Sequence, residues 1–407
     1  MSPAPPLAPA TPAAPLLDYH TWRLRGQTVA GRLYQTASKP GLIGQGRHDA
    51  AARLLAERVV VPPGATVIQM QCGSGLFGAV AALGRGASRV ILTDRSAVGV
   101  EAARRTVAAN AIRNAEVVAG HGSAPLDPTL RADVVAIRIP TEKLALLQLL
   151  ADAFAMLRVG GQCAIAGATN EGVKSATTLM KALFGNATVL GTDSGSRAVM
   201  AIKRAPTPSD TATLANPFLQ HDVFRTLDVE LRGMPMQLFS RPGVFSWEHV
   251  DEGTAILADV MEVQPGDDVL DLGCGSGALG LLAAQRSGTG RVTLLDVDSE
   301  AIRCASRTIA TSGLGNCRAL ISDVALAVFD ERFDRVLANP PFHVGKNTDL
   351  EVPAQFILDA WRVLKPGGTL QLVANRTLPY EKIVYETFSN LTTTHDGARF
   401  KVLSARR

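Results

Sequence analysis

The chain has 407 residues, of which 46% are hydrophobic and 19% are charged, a composition typical of a globular protein. That length exceeds one ordinary hydrophobic core, so we expect two domains. No apolar run is long enough for a membrane-spanning helix, and we expect no membrane partner. Residues Met1–Leu17 are rich in proline and alanine and lack a basic start, which predicts a disordered tail and not a signal peptide.

Cysteine spacing indicates the cellular location of the protein, and charge distribution indicates the kind of partner it binds. The five cysteines show no Cys-x-x-Cys pattern, so we expect no metal site and a reducing, cytoplasmic location. Residues 1–205 carry 22 Lys and Arg against 12 Asp and Glu, a net charge of +10, whereas the remainder carries 19 against 25, or −6. This asymmetry favours a first half that handles a polyanion, and drift in surface charge is the alternative.

An internal repeat organises the chain. Val67–Gly78 (VIQMQCGSGLFG) matches Val269–Gly280 (VLDLGCGSGALG) at an offset of 202 residues. Further along, Leu157–Gly161 (LRVGG) matches Leu364–Gly368 (LKPGG). Each copy alternates short apolar runs with longer helical patterns, which predicts two tandem, doubly wound α/β domains of the Rossmann type. We place these domains at 18–205 and 210–407, separated by a polar Pro/Thr-rich stretch.

The second copy carries a glycine-rich loop between a predicted strand and a predicted helix. Asp271–Gly277 (DLGCGSG) brings the backbone close to a ligand, and Asp296 ends the next strand, where an acid can hold ribose hydroxyls. These features fit a nicotinamide dinucleotide as well as S-adenosylmethionine.

Asn339–Phe342 (NPPF) distinguishes the two cofactors. An exocyclic amine of a base is a poor nucleophile because its lone pair is delocalised into the ring. The side-chain oxygen of Asn339 and the carbonyl of Pro340 can accept its two N–H groups and direct the lone pair toward a methyl group. Pro340 and Pro341 hold this backbone rigidly, and Phe342 offers a face for stacking a flipped base. The alternative is an ordinary turn.

With these motifs the second copy resembles the class I S-adenosylmethionine-dependent methyltransferases. Within them it is similar to the bacterial ribosomal RNA guanine-N2 methyltransferase family, in which a degenerate domain precedes the active one. The resemblance covers nearly all of residues 230–407 and is weaker at Gly167–Ser175 in the first copy. The stretches that carry it are Pro242–Ser246 (PGVFS), Asn339–His343 (NPPFH), Val373–Tyr380 (VANRTLPY) and Arg399–Val402 (RFKV).

The resemblance implies an enzyme that methylates the exocyclic N2 of a guanosine in ribosomal RNA, with the small subunit favoured. It implies S-adenosylmethionine as cofactor, ribosomal RNA or a ribosomal subunit as partner, and we expect a monomer. Asn339 would border the cofactor, and Phe245 and Ser246 would cover its pocket. Asp271, Gly273 and Gly275 would contact the methionine and ribose part of the cofactor. Asp296 would bind the ribose hydroxyls, and Asp323 would bind the adenine amine.

The first copy departs from the second at each of these places. Gln69 stands for Asp271, Gln71 for Gly273, His121 for Asp323 and Arg138 for Asn339, and only Asp94 keeps the acid of Asp296. We therefore expect a first copy without catalytic activity or bound cofactor. Its excess positive charge suits RNA phosphates, through Arg23, Arg25, Arg104 and Arg105, and a purely structural support is the alternative.

Three other functions fit part of the pattern. A nicotinamide-dependent oxidoreductase explains the glycines and Asp296 but gives Asn339–Phe342 no role. A non-catalytic RNA-binding protein leaves the intact motifs of the second copy without purpose. A methyltransferase for DNA adenine N6 or a protein glutamine fits the Asn-Pro-Pro motif equally well, and only the stretches that resemble the RNA guanine-N2 family favour RNA.

Overall fold

The computed structural model describes residues 19–42, 49–341 and 350–407, together with the backbone of 343–344 and 347–348. The predicted tail at 1–17 and the stacking residue Phe342 lie outside the described residues. Two seven-stranded sheets with flanking helices make up most of the described chain. Within those ranges, no helix combines the length and apolar character needed to cross a membrane.

The first sheet follows a two-stranded hairpin, formed by β1 and β2, which packs beside it. In chain order the elements of the first copy are β1 (Arg23–Val29), β2 (Arg32–Ser38), α1 (Ala50–Arg58), β3 (Thr66–Met70), α2 (Leu76–Gly84), β4 (Arg89–Asp94), α3 (Ala97–Ala109), β5 (Ala115–Ala119), β6 (Ala132–Arg138), α4 (Lys143–Met156), β7 (Leu157–Ala168), α5 (Val173–Phe184), β8 (Thr188–Asp193) and β9 (Ser196–Ile202).

The second copy repeats this series after two short 3₁₀ helices, Ala212–Leu214 and Pro217–Leu219. Its elements are β10 (Arg225–Leu231), β11 (Met234–Ser240), α6 (Glu252–Val260), β12 (Val269–Leu272), α7 (Ala278–Ser287), β13 (Val292–Asp296), α8 (Ser299–Ser312), β14 (Cys317–Ile321), β15 (Phe333–Ala338), β16 (His343–Val344), β17 (Asn347–Thr348), α9 (Glu351–Val363), β18 (Leu364–Asn375), α10 (Tyr380–Phe388), β19 (Thr392–Asp396) and β20 (Phe400–Arg406).

Both sheets have the same strand order, which is β5-β4-β3-β6-β7-β9-β8 in the first copy and β14-β13-β12-β15-β18-β20-β19 in the second. The strands pair in parallel except for β9 and β20, which run antiparallel to their neighbours. The strand order reverses at β3 and β12, and doubly wound sheets bind ligands at the carboxyl end of that switch point. The predicted tandem α/β fold is confirmed.

The register aligns the two copies at their critical positions. Ile137 and Ala338 are the last residues of β6 and β15 to pair with β3 and β12. The residues that follow them, Arg138 and Asn339, therefore occupy equivalent places at the ends of equivalent strands. Because helices cover both faces of each sheet, the central strands are buried, as all four residues of β12 show.

The two copies meet through equivalent residues. Ser96 and Asp298, which lie 202 residues apart, form an antiparallel bridge. On either side of it, the amide of Ala97 donates to the carbonyl of Val297, and the amide of Ser299 donates to the carbonyl of Arg95, both at 2.8 Å. Ala97 and Ser299 are equivalent positions in the two copies, as are Arg95 and Val297. The two hydrogen bonds are therefore the same contact made in both directions, and the pairing has local two-fold symmetry.

The segment before each hairpin also crosses to the other copy. Nε2 of His20, before β1, lies 3.2 Å from a carboxylate oxygen of Asp359 in α9. Nε2 of His221, before β10, lies 3.0 Å from both carboxylate oxygens of Asp152 in α4. The copies are therefore joined by exchanged segments as well as by the bridge at Ser96.

Candidate active site

A cavity of about 380 Å³ opens at the carboxyl ends of β12, β13 and β15, within the size range of small-molecule sites. Most of its wall comes from the second copy, but Tyr19, Gly41 and Val98 of the first copy also line it. The structure brings the predicted site residues of the described chain to this one cavity: Phe245, Ser246, Asp271, Gly273, Gly275, Asp296, Asp323, Asn339, Pro340 and Pro341.

The glycine-rich loop leaves open space for a ligand. Gly275 has a φ of +55°, and a Cβ built there would have no atom within 4 Å. Its amide donates to Oδ2 of Asp296 at 2.9 Å, and Oδ2 of Asp271 accepts from the amide of Gly280 at 2.7 Å. Asp296 therefore holds the loop and Asp271 holds the first turn of α7, while Gly275 keeps the space in front of the loop free.

Burial shifts the titration of both carboxylates. It raises the pKa of Asp271 to about 7, and the hydrogen bond from Gly280 opposes this shift only in part. Burial, with the nearby charge of Asp298, raises the pKa of Asp296 to about 6. A cationic ligand in this cavity would favour the charged form of both groups and would relieve the cost of burying them.

The first copy encloses Asp323, the residue predicted to meet the adenine amine. Tyr19 Oη donates to its Oδ1 at 3.1 Å, and the fully buried Nζ of Lys39 forms an ion pair with its Oδ2. Burial alone would raise the pKa of Asp323, but hydrogen bonding to His20 and the charge of Lys39 lower it below the usual value. Asp323 is therefore held as a carboxylate that can accept a hydrogen bond.

Sequence reasoning missed Tyr19 and Lys39 because both belong to the copy that has lost the motifs. The only signal is positional: Lys39 aligns with Arg241, which is buried and donates to Glu300 of its own copy at 2.8 Å. Val98 stands at the place of Glu300 in the first copy. Without an acid there, Lys39 pairs with Asp323 of the other copy.

The side-chain amide of Asn339 is oriented by two acceptors. Its Nδ2 donates to Oδ2 of Asp251 at 3.1 Å and to Oγ1 of Thr254 at 2.9 Å. Both acceptors are at the start of α6, where Asp251 also caps the helix by accepting from the amide of Thr254. Because the nitrogen faces α6, the side-chain oxygen remains available to the cavity, and sequence reasoning did not find either acceptor.

Phe245 and Ser246 border the cavity at its mouth. The side chain of Phe245 is 62% exposed, so it stands at the entrance. Ser246 adopts a φ of +51°, and its hydroxyl donates to the carbonyl of His249 at 2.8 Å. This contact holds the turn that carries Phe245 against the pocket.

The equivalent region of the first copy carries different side chains with partners of their own. Arg138, in the place of Asn339, pairs with Asp49 at 3.0 Å and with Glu171 at 2.7 Å. Gln69 Oε1 accepts from the amide of Gly78 at 2.9 Å, which repeats the structural contact of Asp271 without its charge. Gln71 keeps the left-handed backbone of Gly273, with a φ of +54°, but adds a side chain to the loop.

The last two equivalents in the first copy, Asp94 and His121, are both buried. Asp94 accepts from the amides of Gly73 at 2.8 Å and Ser96 at 2.9 Å, which holds the turn at the interface between the copies. His121 is 1% exposed, and burial keeps its pKa well below the usual value. An uncharged, enclosed imidazole cannot replace the carboxylate of Asp323.

The arginines predicted to bind RNA lie on the hairpin and on α3. Arg23, Arg25, Arg104 and Arg105 are exposed, and the hairpin packs on α3. The guanidinium of Arg105 lies 5.1 Å from the ring centroid of Trp22 and pairs with Glu101 at 2.7 Å. The hairpin and α3 thus carry four exposed arginines, of which Arg105 is partly neutralised by Glu101.

Both copies of the domain match one known protein family. The model of the methyltransferase small domain family matches residues 34–198 and 235–404, once in each copy. Ribosomal RNA small subunit methyltransferase C of Psychromonas ingrahamii is 30% identical over 273 residues, 67% of this chain and 75% of that relative. The protein of the same name from Pseudomonas entomophila is 30% identical over 283 residues, 69% of this chain and 81% of that relative.

A solved structure extends this likeness over both copies. It is the T. thermophilus 16S rRNA N2 G1207 methyltransferase in complex with AdoMet and guanosine, with a TM-score of 0.78 at 28% identity. The match covers 96% of this chain and 99% of that chain. The chain belongs to the ribosomal RNA small subunit methyltransferase C family of small-domain methyltransferases.

Proposed function

We propose that the protein uses S-adenosylmethionine to methylate the exocyclic N2 of a guanosine in small-subunit ribosomal RNA. The observation that carries the proposal is the oriented amide of Asn339 in the same cavity as the glycine-rich loop and Asp296. The names of the relatives and the guanosine bound to the T. thermophilus enzyme support the substrate. A nicotinamide-dependent oxidoreductase would leave the oriented amide without a role.

The cavity fits S-adenosylmethionine in shape and charge. The cofactor carries a positive sulfur and a positive amino group, and the cavity offers the carboxylates of Asp271 and Asp296 beside the open space at Gly275. In this proposal Asp296 accepts from the ribose hydroxyls, and Asp323, which contacts Tyr19 and Lys39, accepts from the adenine amine. When bound, the cofactor supplies an electrophilic methyl group.

The contribution of the protein to the reaction is to position the amine. The oxygen of Asn339 and the carbonyl of Pro340 accept its two N–H groups, which favours a pyramidal nitrogen with its lone pair aimed at the methyl group. No general base is required at this step, since the methylated nitrogen is strongly acidic and releases its proton to water. Asn339 and Pro340 thus act by orientation.

We assign RNA affinity to the first copy. Its net charge of +10 over residues 1–205 and its exposed arginines on the hairpin and α3 favour contact with phosphates, while the second copy is acidic. The proposal also includes a monomer, because the two copies already form a paired interface within one chain. It places the enzyme in the cytoplasm, where the five free cysteines stay reduced.

The test is mass mapping of modified bases in ribosomal RNA from a strain that lacks the protein. We expect one small-subunit guanosine to lose its N2 methyl group. The wild-type gene should restore it and an Asn339→Ala gene should not. Unchanged guanosine methylation, or loss of a methyl group from adenine instead, would contradict the proposal and favour another exocyclic amine.

A further inference from the structure

The amide of Asn339 has a donor side and an acceptor side, and its neighbours determine which side the substrate meets. The carboxylate of Asp251 can only accept hydrogen bonds, so it must face the nitrogen. The hydroxyl of Thr254 is the second acceptor, 2.9 Å from the same nitrogen. Rotating the amide by half a turn would place its oxygen against the carboxylate, which is repulsive.

We propose that Thr254 and Asp251 are positioning residues for methyl transfer, which keep the oxygen of Asn339 toward the amine that is methylated. The inference rests on the proposed function, since that function makes an amine the substrate group. In the reversed orientation the amide N–H groups would face the N–H groups of the substrate. Two donors would then meet, and the lone pair would not be directed.

The support for this amide is rigid. Asp251 Oδ2 accepts from the backbone amide of Thr254 at 3.2 Å as well as from Asn339, so one oxygen both caps α6 and binds the catalytic side chain. Leu257 and Ala258, on the next turn of α6, are fully buried in the core of the second copy. A site carried on a packed helix keeps its geometry better than one on a loop.

The first copy supplies an internal comparison. Asp49 stands where Asp251 does, and it caps α1 by accepting from the amides of Ala51 and Ala52. Ala52 stands where Thr254 does. The capping acid is therefore present in both copies, as the fold requires, whereas the threonine is present only beside the asparagine.

The acid of the first copy also has a different partner. Asp49 forms an ion pair with Arg138, which occupies the place of Asn339. Arg138 has a second acidic partner in Glu171, at 2.7 Å, and alanine suffices at position 52. Thr254 thus accompanies the catalytic amide and not the helix cap.

The experiment compares two substitutions of one side chain. Thr254→Val keeps the shape but removes the acceptor, and Thr254→Ser keeps the acceptor. For the full-length protein acting on small subunits from the strain that lacks it, we expect Thr254→Val to lower kcat by roughly 10- to 100-fold. We expect Thr254→Ser to stay within about threefold of wild type, and both to bind S-adenosylhomocysteine within about twofold of the wild-type Kd.

A matched pair separates positioning from helix capping. Asp251→Asn and Asp49→Asn replace equivalent capping acids by asparagine, which also caps helices, but only Asp251 touches the catalytic amide. We expect Asp251→Asn to lower kcat and Asp49→Asn to leave it unchanged. The melting temperature should fall more in Asp49→Asn, because that variant also loses the ion pair with Arg138. Equal kcat for the two variants would overturn the role of Asp251.

A second readout does not depend on activity. In protein labelled with ¹⁵N-asparagine, the side-chain amide signal of Asn339, identified by its absence in Asn339→Ala, should exchange slowly with solvent. Exchange should become fast in Thr254→Val and stay slow in Thr254→Ser. Slow exchange in Thr254→Val, or an equal decrease of kcat in both variants, would overturn the proposal. If the wild-type protein methylates no RNA, the proposed function is wrong. The exchange rates would still test whether Thr254 orients the amide of Asn339.

Discussion

The two copies of the domain share their strand order, their capping acids and a symmetric interface, yet they differ in the residues at the ends of their central strands. In the first, Arg138 stands at the place of Asn339 and pairs with Asp49 and Glu171. In the second, Asn339 is held by neutral and acidic acceptors and keeps its oxygen free. A copy that lacks the motif residues thus still contributes to the pocket of its neighbour, as Tyr19 and Lys39 do.

The largest expected difference between the copies lies at the ends of β15 and β6, where Asn339 and Arg138 occupy equivalent places. Asn339→Ala should lower kcat by about 100- to 1,000-fold, the range for removal of one oriented group that stabilises the transition state, with cofactor affinity changed no more than a few fold. Arg138→Ala should leave kcat unchanged and lower the melting temperature, because it leaves two partly buried carboxylates without their ion pair. Single-turnover methylation and thermal unfolding measure the two effects. Near-normal turnover in Asn339→Ala would refute the orienting mechanism.

The two equivalent acids should differ in their effect on the cofactor. Asp296→Ala should raise the Kd for S-adenosylhomocysteine by roughly 10- to 100-fold, since two ribose hydroxyls lose a charged acceptor. Asp94→Ala should leave that Kd unchanged although it weakens the turn at Ser96. Calorimetry on the intact chain should give a stoichiometry of one. A stoichiometry of two would show that the first copy binds cofactor after all.

The contribution of the first copy to the pocket can be removed with one side chain. Lys39→Met should weaken cofactor affinity by about tenfold, because Asp323 loses one of the two groups, with His20, that lower its pKa. Lys181→Met, at an exposed lysine of the same copy, is the matched control for the removal of one positive charge. Equal affinities of the two variants would mean that the ion pair has no role in binding. Fluorescence titration with S-adenosylhomocysteine makes the measurement.

Acid should weaken cofactor binding through Asp296. Its pKa is about 6 in the free protein, so it is ionised above that pH and protonated below it. Affinity should therefore fall as pH decreases through 7 and 6, because Asp271, with a pKa of about 7, is also protonated in this range. Asp296→Asn should remove the part of the dependence that lies near pH 6, which is up to about tenfold per pH unit. Titrations at pH 5 to 8 provide the measurement, and a wild-type affinity independent of pH would contradict the assignment.

The same two carboxylates affect stability in the opposite direction. The pKa of Asp271, about 7, and that of Asp296 are raised above their values in the unfolded chain. Their contribution to the stability of the free protein is therefore greatest at low pH and is lost as pH rises through 6 to 7. Asp271→Asn should reduce that loss in thermal unfolding scans, and a stronger dependence in the variant would contradict the pKa shift.

The smallest effect concerns RNA. Arg25→Ala and Arg104→Ala should each weaken RNA binding a few fold and reduce the salt slope by roughly 0.7–0.9 for each phosphate that the variant no longer neutralises. The full chain is the right material, because separating the copies would remove Tyr19 and Lys39 from the pocket. Exposed Arg332 of the second copy, replaced by alanine, is the control. An equal decrease in affinity for all three variants would place the RNA surface elsewhere.

Sequence patterns predicted the fold because the repeat places the same apolar runs and glycine turns 202 residues apart. They also predicted which residues share the cavity, since carboxyl ends of neighbouring parallel strands meet at one edge of the sheet. The carboxylates and the amide could be found this way because each directly follows its own strand.

The rest of the site depends on contacts between distant segments. Tyr19 lies 304 residues from Asp323, and no local pattern links them. Asp251 is readable as a helix cap, but its second partner, Asn339, is 88 residues away. Such contacts depend on how distant segments pack together. The spacing of apolar residues within either copy does not predict that packing.

The bridge between Ser96 and Asp298 has a consequence for the history of the chain. Reciprocal contact between identical positions is the geometry of an isologous interface, which two separate copies of one protein form when they make a symmetric dimer. A gene duplication that joined two such protomers would keep the dimer within one chain. After such a fusion the motif residues of the first copy are free to change, while selection still acts on the residues that contact the second copy.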